Sequence, residues 1–263
     1  MMALYDLPNW LLGVTIVGAT MGMSYAGYFL FHRLIRMQFS DTDRGLAMSV
    51  LGIVATVNSL LLAFSAVSVW ESFRGADAAV TSEANTIQAL ARDLAVFDTP
   101  RAADARMALR RYTETVINDE WAYMRTGAES LKAWDSFDDM FRAIATLELD
   151  SPREQTWMYE IFWRTNELLA QRRTRLYSAQ SRVPGMLWTV VLLGTGLCMV
   201  MTYVLPPIRF HLAMIGALAF SLGLVFFFIF AMDRPFAGNQ SISPTPFRDA
   251  LVGMERWDHA NPR

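Results

Sequence analysis

The side chains that could carry out chemistry in this 263-residue chain are few, and they are not grouped as a catalytic site. Two pairs of acidic residues, Asp119-Glu120 and Asp138-Asp139, are adjacent in sequence. On a helix such neighbours point about 100° apart, so they do not face a shared substrate as paired catalytic carboxylates do. No glycine-rich phosphate loop precedes a helix, and no nucleophile has a recognisable base. We therefore predict that the protein is not an enzyme.

Metal, cofactor and nucleic-acid binding are not indicated either. Cys198 is the only cysteine, and the three histidines, His32, His211 and His259, are far apart, so no metal-ligand spacing is present. The formal net charge of −2 lacks the basic excess that is typical of nucleic-acid-binding proteins. We predict no metal site, no cofactor and no nucleic-acid partner.

A stronger signal is a set of polar residues inside a long apolar run, Leu46 to Trp70, because each polar group costs free energy in lipid. One face of this run, read as a helix, is built from small residues: Ser49, Gly52, Thr56, Ser59 and Ala63. Another face carries polar residues at heptad spacing: Asn58, Ser65 and Ser72. Bulky residues flank that second face and could form constrictions that gate by dewetting: Leu51, Leu62 and Val69.

Two roles are open for these faces, because one face would pack against neighbouring helices and the other could line a water-filled path. Asn58 in particular could line a pore, or it could form a hydrogen bond across a helix interface. The candidate pore-lining residues are Ser49, Leu51, Thr56, Asn58, Leu62, Ser65 and Val69.

Four arginines precede the third apolar run: Arg172, Arg173, Arg175 and Arg182. A vestibule of one charge sign focuses the electric field, so these side chains could concentrate anions at a pore mouth. The alternative is that they are ordinary interfacial arginines in contact with lipid phosphates.

The motif Asp233-Arg234-Pro235-Phe236 follows the fourth apolar run. Asp233 lies at the predicted C-terminal end of a helix, where the dipole disfavours a negative charge, and Pro235 stops the helix. The carboxylate therefore needs a cation, for which the candidates are Arg74, Arg182 and Arg234. We predict a structural clasp at the membrane surface; a role in substrate entry is the alternative.

The elements that must position these residues are dominated by four uncharged apolar runs: Trp10–Phe31, Leu46–Trp70, Met186–Leu205 and Leu212–Met232. A transmembrane helix needs about 20 mainly apolar residues, and each run supplies that length. Trp10 and Trp70 mark segment ends, as aromatic residues do at membrane interfaces. The sequence therefore predicts a multi-pass protein whose first partner is the lipid bilayer.

The charged middle of the chain is predicted to be a helical bundle. Val80, Ala84, Ile87, Ala91 and Leu94 recur at helical spacing, and no helix breaker separates them from Trp70, so one long helix is expected. Thr99 and Ser130 are typical N-caps. A less regular stripe runs through Met107, Arg111 and Thr115, with Tyr112, Val116 and Trp121 beside it. A later helix has an inward stripe of Trp157, Ile161, Leu168, Arg172 and Leu176.

The predicted fold class is all-α, with four transmembrane helices and a helical-bundle soluble domain inserted between the second and third. The predicted domains are residues 1–70 (membrane helices one and two), 71–183 (soluble domain), 184–232 (membrane helices three and four) and 233–263 (C-terminal tail).

Several motifs resemble those of the bestrophin-like family of bacterial membrane proteins. They are Leu4-Tyr5-Asp6-Leu7-Pro8, Leu61-Leu62-Ala63-Phe64, Val69-Trp70-Glu71, Glu83-Ala84-Asn85, Glu120-Trp121, Asp233-Arg234-Pro235-Phe236-Ala237-Gly238, Ser241-Ile242-Ser243-Pro244 and Pro246-Phe247. The family is remotely similar to bestrophins, which are oligomeric anion channels with a pore lined by the second membrane helix. The acidic calcium clasp of eukaryotic bestrophins has no counterpart here, so calcium gating is not implied.

Together these features predict a homo-oligomeric ion channel for anions in the bacterial inner membrane, lined by the second membrane helix. The alternative is a non-conducting membrane scaffold or sensor whose helical domain binds a partner. The side of the membrane that the soluble domain faces stays open. Arginines in the short loops favour loops in the cytoplasm and a domain in the periplasm, whereas the family resemblance implies a domain in the cytoplasm.

Overall fold

The computed structural model describes residues 5–35, 39–147 and 152–260, and these residues form helices, turns and loops without a strand. The all-α prediction is therefore confirmed for the described chain. Leu4 of the opening motif lies outside the described residues.

Four helices among the described residues are long and apolar enough to cross a membrane. They are α1 (Asn9–Leu34), α2 (Asp41–Leu94), α7 (Gly185–Thr202) and α8 (Arg209–Met232). The expected continuation of the second apolar run is confirmed, because α2 is one helix of 54 residues. Proline marks two of the boundaries: Pro8 precedes α1 and Pro184 precedes α7, where the fixed φ of the ring suits the start of a helix.

The chain divides into two compact units. The first, called the membrane unit, contains the described residues of Met1–Glu71, Arg182–Asp233 and Gly238–Gln240. The second, called the bundle unit, contains those of Ser72–Ser181, Arg234–Ala237 and Ser241–Arg263. Helix α2 contributes residues to both units.

Helices α1 and α8 pack closely in the membrane unit because glycine lies at a contact point. A Cβ atom on Gly223 would lie 3.0 Å from the Cα atom of Val17, so a larger residue would push the two backbones apart. An apolar cluster between α2, α7 and α8 is formed by Leu62, Val69, Val191, Phe226 and Ile229.

The bundle unit is built from the C-terminal part of α2 and a series of further helices. These are α3 (Pro100–Thr115), a π turn (Val116–Glu120), α4 (Trp121–Met124), α5 (Leu131–Ala145), α6 (Pro152–Gln180) and α9 (Thr245–Ala260). Both predicted N-caps are confirmed: the Thr99 hydroxyl accepts from the Ala102 N–H, and the Ser130 hydroxyl accepts from the Ala133 N–H.

The inward stripe of α2 is as predicted, but that of α3 is not. Val80, Ile87 and Leu94 are fully buried, whereas Met107 is 54% exposed. The buried face of α3 is instead formed by Leu109, Tyr112 and Val116 and continues through Glu120 and Met124. A π turn holds more residues per turn than an α-helix, so residues four apart stay on one face through it. This turn explains the irregular apolar spacing in the sequence.

The chain after α8 contributes residues to the core of the bundle unit. The buried residues that it contributes to this core are Phe236, Ile242, Phe247, Ala250 and Met254. The Trp121 indole N–H donates to the Ile242 carbonyl at 3.2 Å, and the Trp121 ring meets Phe236 and Phe247 edge-on. The bundle unit therefore joins segments that lie before α7 and after α8 in sequence.

Candidate functional site

One face of α2 packs inside the subunit. Asn58, Leu62, Ser65 and Val69 are all buried within the membrane unit. The Asn58 side-chain amide donates to the Thr195 hydroxyl of α7 at 3.2 Å. Gly194, next to Thr195, makes room for this contact, since a Cβ atom there would overlap the Asn58 amide.

In the single subunit these four residues are buried where α2 packs against α7 and α8, and their role along a path stays a prediction. The Asn58 NH₂ group donates to a hydroxyl of a neighbouring helix, which offsets part of the cost of a polar amide in lipid. The Ser65 hydroxyl is likewise satisfied locally, because it donates to the Leu61 carbonyl at 2.8 Å. Of the two alternatives for Asn58, the interhelical one describes the geometry.

The small-residue face of α2 has the opposite environment. All five of its residues are exposed in the single subunit: Ser49, Gly52, Thr56, Ser59 and Ala63. Leu51 is only partly buried. The Ser49 hydroxyl donates to the Gly45 carbonyl at 2.9 Å, and the Thr56 hydroxyl donates to the Gly52 carbonyl at 2.8 Å. The exposed oxygens of this face therefore offer acceptor lone pairs to their surroundings.

A second arrangement lies in the core of the bundle unit and consists of four charged side chains. We call Glu83, Glu120, Arg172 and Arg175 the ionic cluster; all four are fully buried. Arg175 Nε lies 2.6 Å from Glu83 Oε2, and Arg175 Nη2 lies 2.7 Å from Glu120 Oε2. Arg172 Nη2 lies 2.6 Å from Glu120 Oε1. The two positive and two negative charges balance inside the cluster.

Neighbouring groups complete the ionic cluster. Tyr112 donates its hydroxyl hydrogen to Glu83 Oε1 at 2.7 Å, and Arg172 Nη1 donates to the Ala133 carbonyl at 3.1 Å. The guanidinium carbon of Arg172 lies 4.1 Å from the centroid of the Trp134 ring, a cation–π geometry. Such contacts offset part of the cost of removing charges from water.

The electrostatics of the ionic cluster raise the pKa of Arg175 and of the neighbouring Tyr112. Burial disfavours the charge of Arg175, but the nearby Glu83 and Glu120 carboxylates outweigh it and raise the pKa of Arg175. Burial, and then the charge of Glu83, raise the pKa of Tyr112 well above its usual value. Tyr112 therefore stays a neutral hydrogen-bond donor over the physiological range.

Residues of the Asp233 motif form hydrogen bonds in each of the two units. In the membrane unit, Asp233 Oδ1 accepts a hydrogen bond from the Val183 backbone N–H at 2.7 Å, just before α7 begins. In the bundle unit, the Pro235 carbonyl accepts from the Ile242 N–H at 2.8 Å, and Phe236 is buried. Arg234 belongs to the same segment of the bundle unit.

Comparison with known families decides the identity of the chain. A family model described as the Bestrophin-like domain matches residues 18–247. The chain belongs to the bestrophin-like family. No curated protein matches it. The family match begins within α1 and ends within α9, so it covers parts of both units. This bestrophin-like chain is a membrane protein.

The four arginines predicted at a pore mouth of this bestrophin-like chain differ in burial. Arg172 and Arg175 are fully buried and paired with carboxylates, so they present no charge to solvent. Arg173 and Arg182 are exposed, and their role at a pore mouth stays a prediction.

A signal for the ionic cluster was present in the sequence. Arg172 occupies the same inward stripe as Ile161 and Leu168, and a charge on a buried stripe requires an opposite charge. The sequence did not place its partner Glu120 on the buried face of the bundle helices, because the π turn that contains Glu120 was not predicted. Within the part of the chain that the structure describes, no group of three or more His, Cys, Asp or Glu residues could hold a metal ion.

Proposed function

We propose that this bestrophin-like protein is a homo-oligomeric ion channel in which α2 of each subunit faces a central pore. The observation that carries the proposal is the exposed small-residue face of α2, defined by Ser49, Gly52, Thr56, Ser59 and Ala63. These residues are left uncovered by the packing of their own subunit, although they belong to a membrane helix.

The chemistry of this face suits an aqueous path better than a lipid contact. Three of its five residues carry hydroxyl groups, and polar side chains in membrane helices are typically turned to a bundle interior or a water-filled cavity. From Ser49 to Ala63 the face extends for about 21 Å along the helix, which is most of a hydrocarbon core of about 30 Å. Small side chains also leave width for water when several copies surround one axis.

Anions are the proposed conducted ions, but the α2 face does not by itself select them. Ser49 and Thr56 donate their hydroxyl hydrogens to backbone carbonyls, so they offer acceptors rather than donors to an ion. The preference for anions would come from exposed guanidinium groups outside the pore, for which Arg173 and Arg182 are the candidates.

Currents across planar lipid bilayers test this proposal. Ser59→Leu should lower single-channel conductance several-fold because the added side chain narrows the pore. Ser68→Leu is the matched control, since Ser68 is also exposed but lies on a different side of α2. The reversal potential in a chloride gradient gives the ion preference. Equal effects of the two substitutions, or an absence of current from verified oligomers, would refute the proposed pore.

A second candidate function, a scaffold whose bundle unit binds a partner, is favoured by an exposed aromatic face on α6. Tyr159, Trp163 and Tyr177 are 80%, 57% and 76% exposed and lie within about 40° of one another around the helix. Trp and Tyr are enriched in protein interfaces. This function predicts a protein without conductance whose partner is released by Trp163→Glu, whereas the channel predicts that Trp163→Glu leaves the ion preference unchanged.

A further inference from the structure

The membrane unit contains a partly enclosed groove that its packing does not fill. The cavity has a volume of about 510 Å³ and is lined by residues of α1, α7 and α8. Its floor includes Ser24, Met199 and Phe226, which are buried, and its rim includes Met23 and Leu192, which are 69% and 53% exposed. Because the rim is exposed, the groove opens to the surroundings of the membrane unit.

Three hydroxyl groups in the lining of this groove form hydrogen bonds within the chain. The Thr20 hydroxyl donates to the Ile16 carbonyl at 2.8 Å, and the Ser24 hydroxyl donates to Met199 Sδ at 3.2 Å. The Thr195 hydroxyl accepts from Asn58. The lining includes no charged residue. An occupant therefore meets a mainly apolar wall, and a polar ligand would lose hydration in exchange for few partners.

The shape of the groove is elongated. Its lining on α7 runs from Trp188 to Tyr203, which is about 22 Å at 1.5 Å per residue, and repeats at helical spacing along one side of that helix. On α1 it runs from Ile16 to Ser24. A small residue at Gly196 leaves the space open, since a Cβ atom there would meet no heavy atom within 4 Å.

We infer that this groove binds one acyl chain of a membrane phospholipid. The solvent around the membrane unit is lipid, and an uncharged channel about 22 Å long matches an extended hydrocarbon chain in both polarity and direction. The exposed Arg182 and Arg209 flank α7 in sequence, and both belong to the membrane unit. Guanidinium groups at the ends of a membrane helix are suited to a phosphate headgroup.

Photolabelling of the full-length protein tests the inference. The protein is reconstituted into phosphatidylethanolamine and phosphatidylglycerol vesicles that contain a phosphatidylcholine with a photoactivatable diazirine on one acyl chain. Labelled residues are then located by mass spectrometry. Label is expected on the groove residues Met23, Leu192 and Val200 in preference to exposed apolar residues elsewhere, such as Ile53.

Two substitutions separate groove binding from general contact with lipid. Gly196→Leu should lower groove labelling by about tenfold, because its side chain fills the space of several methylene groups. Gly18→Leu is the control, since Gly18 also has nothing within 4 Å of its Cβ position but does not line the groove. It should leave groove labelling unchanged.

Three outcomes would overturn the inference. Labelling could be uniform over the exposed apolar residues of the membrane unit, or it could be equal in the wild type and Gly196→Leu. Cross-linking between copies through Leu192→Cys, with groove residues unlabelled, would show instead that a second subunit fills the groove. None of these outcomes depends on ion conduction, so the inference and the proposed channel fail separately.

Discussion

The ionic cluster places four charges in the core of the bundle unit, where a charge without its partner is costly. Each arginine contacts a carboxylate, and Glu120 contacts both arginines. Buried ion pairs of this kind add little net stability over apolar residues, but the removal of one partner is strongly destabilising. The cluster therefore selects one arrangement of α2, α6 and the π turn.

Arg172→Leu should reduce the free energy of unfolding of the bundle unit by about 3 to 5 kcal/mol, because Glu120 loses one of its two partners. Arg173→Leu, at the adjacent exposed position, should change it by about 0.5 kcal/mol or less. Denaturant unfolding in mild detergent, followed by tryptophan fluorescence, measures both. Similar losses for the two variants would contradict the role of the cluster.

Tyr112 gives the bundle unit a dependence on alkaline pH. Its pKa in the folded protein is raised well above the usual value, first by burial and then by Glu83. The folded state therefore holds the phenolic proton more tightly than the unfolded state does. Stability is fully present below the unfolded pKa of about 10 and falls as the pH rises above it.

Unfolding measured from pH 8 to pH 11 should show this decline in the wild type, with a slope approaching about 1.4 kcal/mol per pH unit. The slope should be smaller in Tyr112→Phe. Tyr177→Phe, which alters an exposed tyrosine, should retain the wild-type slope. An unchanged slope in Tyr112→Phe would exclude Tyr112 as its origin.

At the scale of the helices, the apolar runs were predictable because length and composition are local properties. The caps at Thr99 and Ser130 and the long helix α2 could be predicted for the same reason. The π turn could not, since its extra residue is stabilised by contacts of Glu120 with a helix more than 50 positions away. The sequence also did not show which face of α2 packs against α7, because both faces of this helix carry small polar residues.

Close packing of α1 on α8 leaves little room for a side chain at Gly223. Gly223→Ala should destabilise it by about 1 to 3 kcal/mol, because the new Cβ would lie 3.0 Å from the Val17 backbone. Gly18→Ala adds the same atom to α1 where nothing lies within 4 Å, and it should be neutral or slightly stabilising. Thermal unfolding in one detergent compares the pair. A neutral Gly223→Ala would show that the contact is loose.

At the scale of the whole molecule, the proposed oligomer places equivalent α2 helices side by side. The family of the chain could be recognised from sequence motifs alone, and the match to the family model confirms that resemblance. The uncovered side of α2 could be found only once the packing within the subunit was known, since Asn58 and Ser59 are neighbours in sequence but differ in burial.

Ser59→Cys should form cross-links between copies with a short thiol reagent, and the ladder of products on a denaturing gel gives the subunit number. The native Cys198 is buried, so it need not be removed. Ser68→Cys is the control on a different side of the same helix and should cross-link much less. Equal cross-linking at both positions would place the subunit axis elsewhere.

The packing of α9 with α3 also constrains how the chain is made. The Glu255 carboxylate lies 2.6 Å from Arg110 Nη2, and Phe247 is fully buried in the same core as Leu109. These two segments leave the ribosome on either side of α7 and α8. Both membrane helices are therefore synthesised before α9 can complete the interior of the bundle unit. Until then its apolar core lacks the residues that α9 contributes, Phe247, Ala250 and Met254.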